Sequence, residues 1–99
     1  MDLKALTGEM NRFVEAKGWY APDSPRPQTP RNLATSMAIE AAEVLEHFQW
    51  GEASASGVED ELADVALYLL QLAHCLHIDL EAHCQRGRRI NRRNDFVHP

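Results

Sequence analysis

Two pairs of acidic residues, each spaced three apart, are the part of the sequence best suited to chemistry. The first pair is Glu40 and Glu43, and the second is Glu61 and Asp64. In a helix, residues three apart lie on neighbouring parts of one face, so the carboxylates of each pair can converge. At about 100° per residue, each pair lies at nearly the same angular offset from the apolar stripe of its own helix. If the two helices pack antiparallel through those stripes, all four carboxylates can meet.

Four carboxylates at one helix contact would repel one another and would be costly to remove from water. A hard divalent cation offsets this cost, because oxygen ligands with some retained water are what Mg²⁺ and Mn²⁺ prefer. For a single pair, a solvated helix face is the simpler interpretation, but two pairs with matching offsets favour a metal site. We therefore predict a site for Mg²⁺, with Mn²⁺ as an alternative, formed by Glu40, Glu43, Glu61 and Asp64.

Other metal and nucleophilic chemistries are less well supported by the residues. A ferritin-like di-iron site needs a histidine three residues after a glutamate on two helices, and here those places hold Glu46 and Asp64. His47 lies one turn after Glu43; we interpret it as a surface histidine, with a metal role as the alternative. The serines lack a nucleophile-elbow context, and the five glycines are dispersed rather than grouped in a phosphate loop.

The elements that must position the acids are all helices, because the apolar residues recur with helical spacing. A first helix carries Leu3, Leu6, Met10, Phe13 and Val14. It ends at Gly18, and three prolines between residues 19 and 28 predict an extended loop after it. Thr29-Pro30 reads as an N-cap with proline at the first helical position. The second helix then runs to about Trp50 and stops at Gly51.

A third helix is predicted from about Val58 to His77, after a linker of small residues at 52–56. Its predicted buried stripe consists of Leu62, Val65, Ala66, Leu69, Leu72, Ala73 and Leu76. Asp79 caps a fourth helix, which frays at Arg93-Asn94. The sequence therefore predicts an all-α fold, a small four-helix bundle, as a single domain over residues 1–99.

Length, charge and cysteine content limit the partners and the compartment. A chain of 99 residues buries a modest part of its surface, so we expect a homo-oligomer. The net charge of −5 argues against binding to a nucleic-acid polymer, and no apolar run approaches the roughly 20 residues of a membrane span. Cys75 and Cys84 lack a CxxC spacing, and the first residues do not resemble a signal peptide. We expect a cytoplasmic protein.

The basic and aromatic residues are placed where they could serve a nucleotide. The acids concentrate between residues 40 and 64, while five arginines crowd residues 86–93. This asymmetry suits a cation at the acids and a phosphate-bearing ligand near the basic end; a solvated, Arg-rich last helix is the alternative. Trp50 and Tyr68 lie beside the acids and Trp19 lies in the proline-rich loop, so a flat base could stack on one of them. Ordinary packing is the alternative for each ring.

Four sequence segments together resemble the MazG-like all-α nucleoside triphosphate pyrophosphohydrolases. They are PRNL at 30–33, EAAEVLE at 40–46, FQW at 48–50 and ELADV at 61–65. With Tyr68 four residues after the aspartate, the pattern is most like the branch that contains the eukaryotic dCTP pyrophosphatase.

The resemblance implies hydrolysis of a nucleoside triphosphate to the monophosphate and pyrophosphate by a homodimer or homotetramer. It implies that Mg²⁺ is held by the four acids and that Glu40 or Glu43 orients or deprotonates the attacking water. The residues expected to contact the nucleotide are Trp19, Arg31, Asn32, Trp50, Tyr68, Arg88 and Asn91.

The sequence departs from that pattern at three positions outside the acids. Gln28 stands where a histidine is frequent, Gly87 where a lysine is usual, and Asn94 where an arginine is usual; the loop at 19–30 is also longer. All four metal positions are present, so the resemblance still implies house-cleaning of pyrimidine or modified nucleotides, with the preferred base left open.

Two other functions remain as alternatives. Phosphoribosyl-ATP pyrophosphohydrolase shares the fold, but the FQW segment speaks against it. A non-catalytic nucleotide-sensing or oligomerisation module is favoured by Gly87.

Overall fold

Four α-helices account for most of the residues that the structure describes. A computed structural model describes residues 2–52 and 54–93, with side chains described as far as residue 87. The helices are α1 (Leu3–Ala16), α2 (Pro30–Glu46), α3 (Ala55–Cys75) and α4 (Leu80–Arg93). The described residues contain no β-strand, so the all-α prediction is confirmed. Helix α3 is the centre of the packing, with α2 along one side and α1 in a smaller contact on another.

Helix α1 begins and ends at the predicted signals. The side chain of Asp2 caps its start by accepting from the Ala5 amide at 2.8 Å. At its end Gly18 has φ 73°, and the Trp19 amide bonds back to the Val14 carbonyl at 3.2 Å. Glycine populates positive φ without steric penalty, which explains why the helix ends there.

Helix α2 starts as predicted but ends earlier. Thr29 Oγ1 accepts from the Asn32 amide at 3.2 Å, and Pro30 occupies the first helical position. The helix stops at Glu46 rather than at about Trp50, because the next amides bond three residues back instead of four, beginning with His47 to Val44 at 3.2 Å. This tighter turn continues to Gly51 at φ 145°. Apolar periodicity extends through it, so the sequence pattern could not show the change.

Helix α3 begins about three residues before the predicted start and ends two residues early. Ser54 is its N-cap, so Ala55 and Ser56, which were predicted to belong to the linker at 52–56, lie in the first turn of the helix. At the other end His77 adopts φ 57° and the Ile78 amide bonds to the Ala73 carbonyl at 2.9 Å. This is the same closure that Gly18 makes in α1, here formed by a residue with a side chain.

Helix α4 starts where predicted. Asp79 Oδ1 accepts from the Ala82 amide at 3.1 Å and so caps the helix. The helix extends to Arg93, and the predicted fraying at Asn94 lies outside the described residues.

The buried core is small and lies between α1, α3 and the loop after α1. Met10, Val14 and Leu70 form it, and four partly buried neighbours pack against it: Leu6, Trp19, Tyr20 and Leu80. Leu33 of α2 is separately buried at 2% exposure. Within the described residues, no helix has both the length and the hydrophobicity needed to cross a bilayer.

The predicted buried stripe of α3 is wrong in part for the single chain. Leu62, Leu69 and Leu76 are 52%, 40% and 47% exposed, whereas Leu70 and Gln71 are buried. Because α1 and α2 cover other sides of α3, the face that carries these three leucines is left uncovered. We call it the leucine face.

Candidate functional site

The contact between α2 and α3 brings the two acidic pairs together. Glu40, Glu43 and Glu61 are half-buried and Asp64 is exposed. Glu40 is the most constrained of the four, because its Oε2 atom is shielded from solvent and has no hydrogen-bond partner among the described residues. A buried carboxylate oxygen without a donor is uncommon in folded proteins, so it needs a physical explanation.

The four acids act on one another electrostatically. Burial of the carboxyl group, a hydrogen bond with Glu43, and the negative charges of Glu43, Asp64 and Glu61 all raise the pKa of Glu40 above its ordinary value. When no cation is bound, these effects favour the protonated form of Glu40.

The donor set fits a hard divalent cation. Carboxylate oxygens are the ligands that Mg²⁺ and Mn²⁺ prefer, and a cation would give Glu40 Oε2 the partner that it lacks. Across the side chains described for this chain, no three His, Cys, Asp or Glu groups stand close enough to ligate one ion as they are placed. Rotation of the flexible glutamate side chains is therefore needed for them to share an ion.

His47 has a closer relation to the acids than the sequence indicated. Its Nε2 lies 3.3 Å from Glu61 Oε2, an ion pair when the imidazole is protonated. An open cavity of about 260 Å³ beside this contact is lined by Glu43, Glu46, His47 and Glu61. His47 is exposed, as the sequence predicts, and is the C-cap of α2. Its partner lies on a different helix, so the spacing within one helix carried no signal for the pair.

A second cavity lies one helical turn away from the acids. It has a volume of about 350 Å³, and three of the predicted nucleotide contacts line it: Trp19, Asn32 and Tyr68. Ser36, another lining residue, is four residues before Glu40, and Tyr68 is four residues after Asp64. Residues four apart in a helix are neighbours on one face, so the cavity and the acids share the same groove between α2 and α3. We call this cavity the aromatic pocket.

The proline-rich loop forms one wall of the aromatic pocket, and side-chain amides hold it there. Asn32 Nδ2 donates to the Pro27 carbonyl at 2.9 Å, and Gln28 Nε2 donates to the Arg26 carbonyl at 2.6 Å. Gln71 Nε2 on α3 donates to Gln28 Oε1 at 2.7 Å. Gln71 gives no functional signal in the sequence, because it lies among the apolar residues of α3.

Trp19 is held at the edge of the pocket by packing. Its ring meets Phe13 edge to face, with 5.8 Å between the centroids and 82° between the planes. Trp19 is also packed against the core, so one side of the ring supports the fold while the residue lines the pocket. The packing interpretation of Trp19 is therefore confirmed, and stacking of a base on its ring stays a prediction.

The remaining predicted contacts are not gathered into these cavities. Trp50 is 92% exposed in the turn after α2, and neither it nor Arg31 is among the lining residues of the two cavities. Arg88 and Asn91 lie on α4, and their side chains are outside the described part of the structure.

Comparison with known proteins agrees with this architecture. A model of the MazG-like family matches residues 35–93. The chain is 35% identical over 80 residues to human dCTP pyrophosphatase 1, covering 70% of this chain and 47% of that protein, and 32% identical to the rat protein of the same name. It thus spans about half the length of the curated relatives it matches.

A solved structure shares the fold across most of both chains. It is the crystal structure of a pyrophosphatase from Archaeoglobus fulgidus DSM 4304, 35% identical, with a TM-score of 0.70 over 91% of this chain and 89% of that chain. The family match includes α3 and most of α2, which carry all four acids. The chain belongs to the MazG-like family.

Proposed function

We propose that the chain hydrolyses a nucleoside triphosphate to the monophosphate and pyrophosphate, with Mg²⁺ bound by Glu40, Glu43, Glu61 and Asp64. The observation that carries this proposal is the state of Glu40, a shielded carboxylate without a donor in the field of three other acids. Such a cluster is unfavourable by itself and becomes favourable with a divalent cation. The relatives named as pyrophosphatases support the reaction class.

The reaction needs a water molecule positioned against the triphosphate chain. When bound, the cation neutralises the phosphates and activates water. Water adds to a phosphorus, the bond between the α- and β-phosphates breaks, and the proton of the water passes to a carboxylate. Glu40 and Glu43 are the candidates for that base.

The aromatic pocket is where we place the nucleobase. Its volume of about 350 Å³ falls within the range of small-molecule sites, and the rings of Trp19 and Tyr68 offer flat apolar surface for a base. A base bound there would direct the phosphates along the groove towards the acids one turn away. We infer a pyrimidine or modified nucleotide, with dCTP as the first candidate because relatives are named for it.

The leucine face is the surface through which we expect the chain to form a homodimer or homotetramer. Leu62, Leu69 and Leu76 recur every seven residues along α3, a spacing typical of helices that pack against another helix. All three are at least 40% exposed in the single chain. Burial against a second copy would remove this apolar surface from water.

The free thiols of Cys75 and Cys84 are in keeping with a reducing, cytoplasmic compartment.

A screen for pyrophosphate release tests the proposed activity. We expect Mg²⁺-dependent pyrophosphate from at least one pyrimidine nucleotide in a panel of canonical and modified (deoxy)nucleoside triphosphates. Asp64→Asn should lower kcat at least about 100-fold, because it removes a charged ligand. The matched control is Glu59→Gln, an exposed acid on the same helix that lies about 140° around the helix axis from Asp64, and it should keep the wild-type rate.

The same screen distinguishes the second candidate function, a nucleotide sensor without turnover. Gly87, which stands where the resemblance places a lysine, is the observation that favours the sensor. No product from any nucleotide, combined with measurable nucleotide binding, would support the sensor and contradict the proposed hydrolysis.

A further inference from the structure

Gln71 is the one polar side chain among the described residues that is buried, with 4% of its surface exposed. It lies on α3 at the wall of the aromatic pocket. A buried amide must satisfy its hydrogen-bonding groups within the protein or lose stability. Its Nε2 group does so across 43 residues of sequence, by donating to Gln28 Oε1 at 2.7 Å.

The contacts around Gln28 fix which way its amide points. A main-chain carbonyl can only accept, so the 2.6 Å contact with the Arg26 carbonyl requires the NH₂ group of Gln28 on that side. Gln28 Oε1 must then face Gln71, which has to donate. Each amide therefore has one orientation consistent with all of its partners.

We propose that Gln71 is a positioning residue that locks the Gln28 amide in one orientation, and that the locked amide selects among nucleobases by their hydrogen-bonding edge. This inference rests on the proposed binding of a nucleobase in the aromatic pocket. A primary amide that can rotate offers a donor to one base and an acceptor to another at the same place. A locked amide offers only one of the two, so a base with the wrong edge leaves a group unpaired.

Cytosine and uracil are the sharpest pair of probes for this role. The two rings are nearly the same size and differ at the edge formed by C4 and N3. Cytosine has a donor amino group and an acceptor nitrogen there, whereas uracil has an acceptor carbonyl and a donor N–H. Stacking on Trp19 or Tyr68 and contacts with the phosphates would be similar for both. Their affinity ratio therefore isolates the contribution of fixed polar groups in the pocket.

The experiment compares the affinities of non-hydrolysable α,β-imido analogues of dCTP and dUTP, measured by calorimetry. The test variants are Gln71→Met, Gln28→Met and the double variant; methionine keeps the length and volume of glutamine but cannot make the hydrogen bonds. Gln85→Met is the matched control, since Gln85 is an exposed glutamine on α4 that lines neither cavity. A circular-dichroism spectrum and a melting curve for each variant establish that it folds.

We expect Gln71→Met to move the affinity ratio about fivefold towards one. The double variant should show no further change beyond Gln28→Met alone, because the two residues act as one unit. If Gln71 has a purely structural role, Gln71→Met should lower the affinity for both analogues equally and leave their ratio unchanged. That result would overturn the inference. A wild-type ratio within twofold of one would also overturn it.

The outcomes also separate this inference from the proposed function. If the wild-type chain binds neither analogue, both the proposed nucleotide site and the proposed selection by Gln28 and Gln71 are wrong. If it binds both and the ratio is the same in Gln71→Met, only the role of Gln71 is wrong. If Gln71→Met does not fold, Gln28→Met still tests the inference, because it removes the same hydrogen bond from the loop side. The affinity ratio of Gln28→Met must then move towards one.

Discussion

Glu40 combines a carboxylate oxygen shielded from water with three other acids near enough to alter its pKa. The sequence could predict this grouping, because the two acidic pairs have the same spacing and the same angular offset on their helices. Both pairs therefore face the contact between α2 and α3. It could not predict the contacts of His47 or Gln71. Each of those side chains pairs with a residue on a different element, at a position that only the packed structure defines.

The raised pKa of Glu40 makes stability depend on pH. Since the folded chain holds this proton more tightly than the unfolded chain, the stabilisation is complete below the ordinary value of 4.5 and is lost as pH rises through the raised pKa. Without divalent cations, we therefore expect the melting temperature to fall as pH rises above that value. Glu40→Gln should flatten this part of the profile, measured by circular dichroism.

Glu9→Gln is the control for this measurement, because Glu9 lies exposed on α1, away from the acids. It should retain the wild-type pH profile. Adding Mg²⁺ near neutral pH should raise the melting temperature of the wild type more than that of Glu40→Gln. Identical pH profiles for wild type and Glu40→Gln would contradict the electrostatic coupling described for this cluster.

At the scale of elements, helix ends were predictable where a residue type has one dominant use. Gly18, Thr29 and Asp79 end or cap helices as the sequence predicts. The end of α2 was not predictable, because the backbone amides change from bonding four residues back to bonding three residues back while the apolar spacing continues. The end of α3 was also missed, since His77 takes a backbone conformation that favours glycine.

The N-cap of α2 should contribute measurably to stability. Thr29→Ala removes the oxygen that accepts from the Asn32 amide and should destabilise the chain by about 1 kcal/mol in urea denaturation. Thr7→Ala makes the same truncation inside α1, where alanine is the better helix former, and should be neutral or stabilising. A loss of stability in Thr7→Ala equal to that in Thr29→Ala would show that the cap is not the cause.

The conformation of His77 predicts a stabilising substitution. At φ 57° a side chain is disfavoured, so His77→Gly should stabilise the chain by roughly 0.5–1 kcal/mol. The same change at His83, inside α4, should destabilise it by about 1 kcal/mol or less, because glycine is a poor helix former. Chemical denaturation of the two variants should therefore give shifts of opposite sign. Destabilisation by His77→Gly would contradict the account of this turn.

At the scale of the whole molecule, the all-α class and the number of helices were predictable from periodicity, but the burial of α3 was not. Periodicity shows that a stripe is apolar without showing which partner covers it. Leu70 is buried within the chain, whereas the leucine face remains uncovered. This difference is what a chain that completes its core with a second copy would show.

Association through the leucine face can be tested by light scattering. Leu69→Glu should shift the chain from oligomer to monomer, because burying an unpaired charge against a partner helix is unfavourable. Leu67→Glu is the matched control, since Leu67 is 37% exposed on the same helix but lies off the leucine face. It should keep the wild-type mass. Equal masses for wild type and Leu69→Glu would contradict the proposed interface.

Product identity tests the central proposal most directly. Incubation of dCTP with the chain and Mg²⁺, followed by ³¹P NMR, should show dCMP and pyrophosphate formed in equal amounts. Removal of Mg²⁺ by a chelator should stop the reaction, and Glu40→Gln should reduce it by at least about 100-fold while Glu9→Gln does not. Formation of dCDP and inorganic phosphate, or a full rate in Glu40→Gln, would contradict metal-dependent pyrophosphohydrolysis at this acidic cluster.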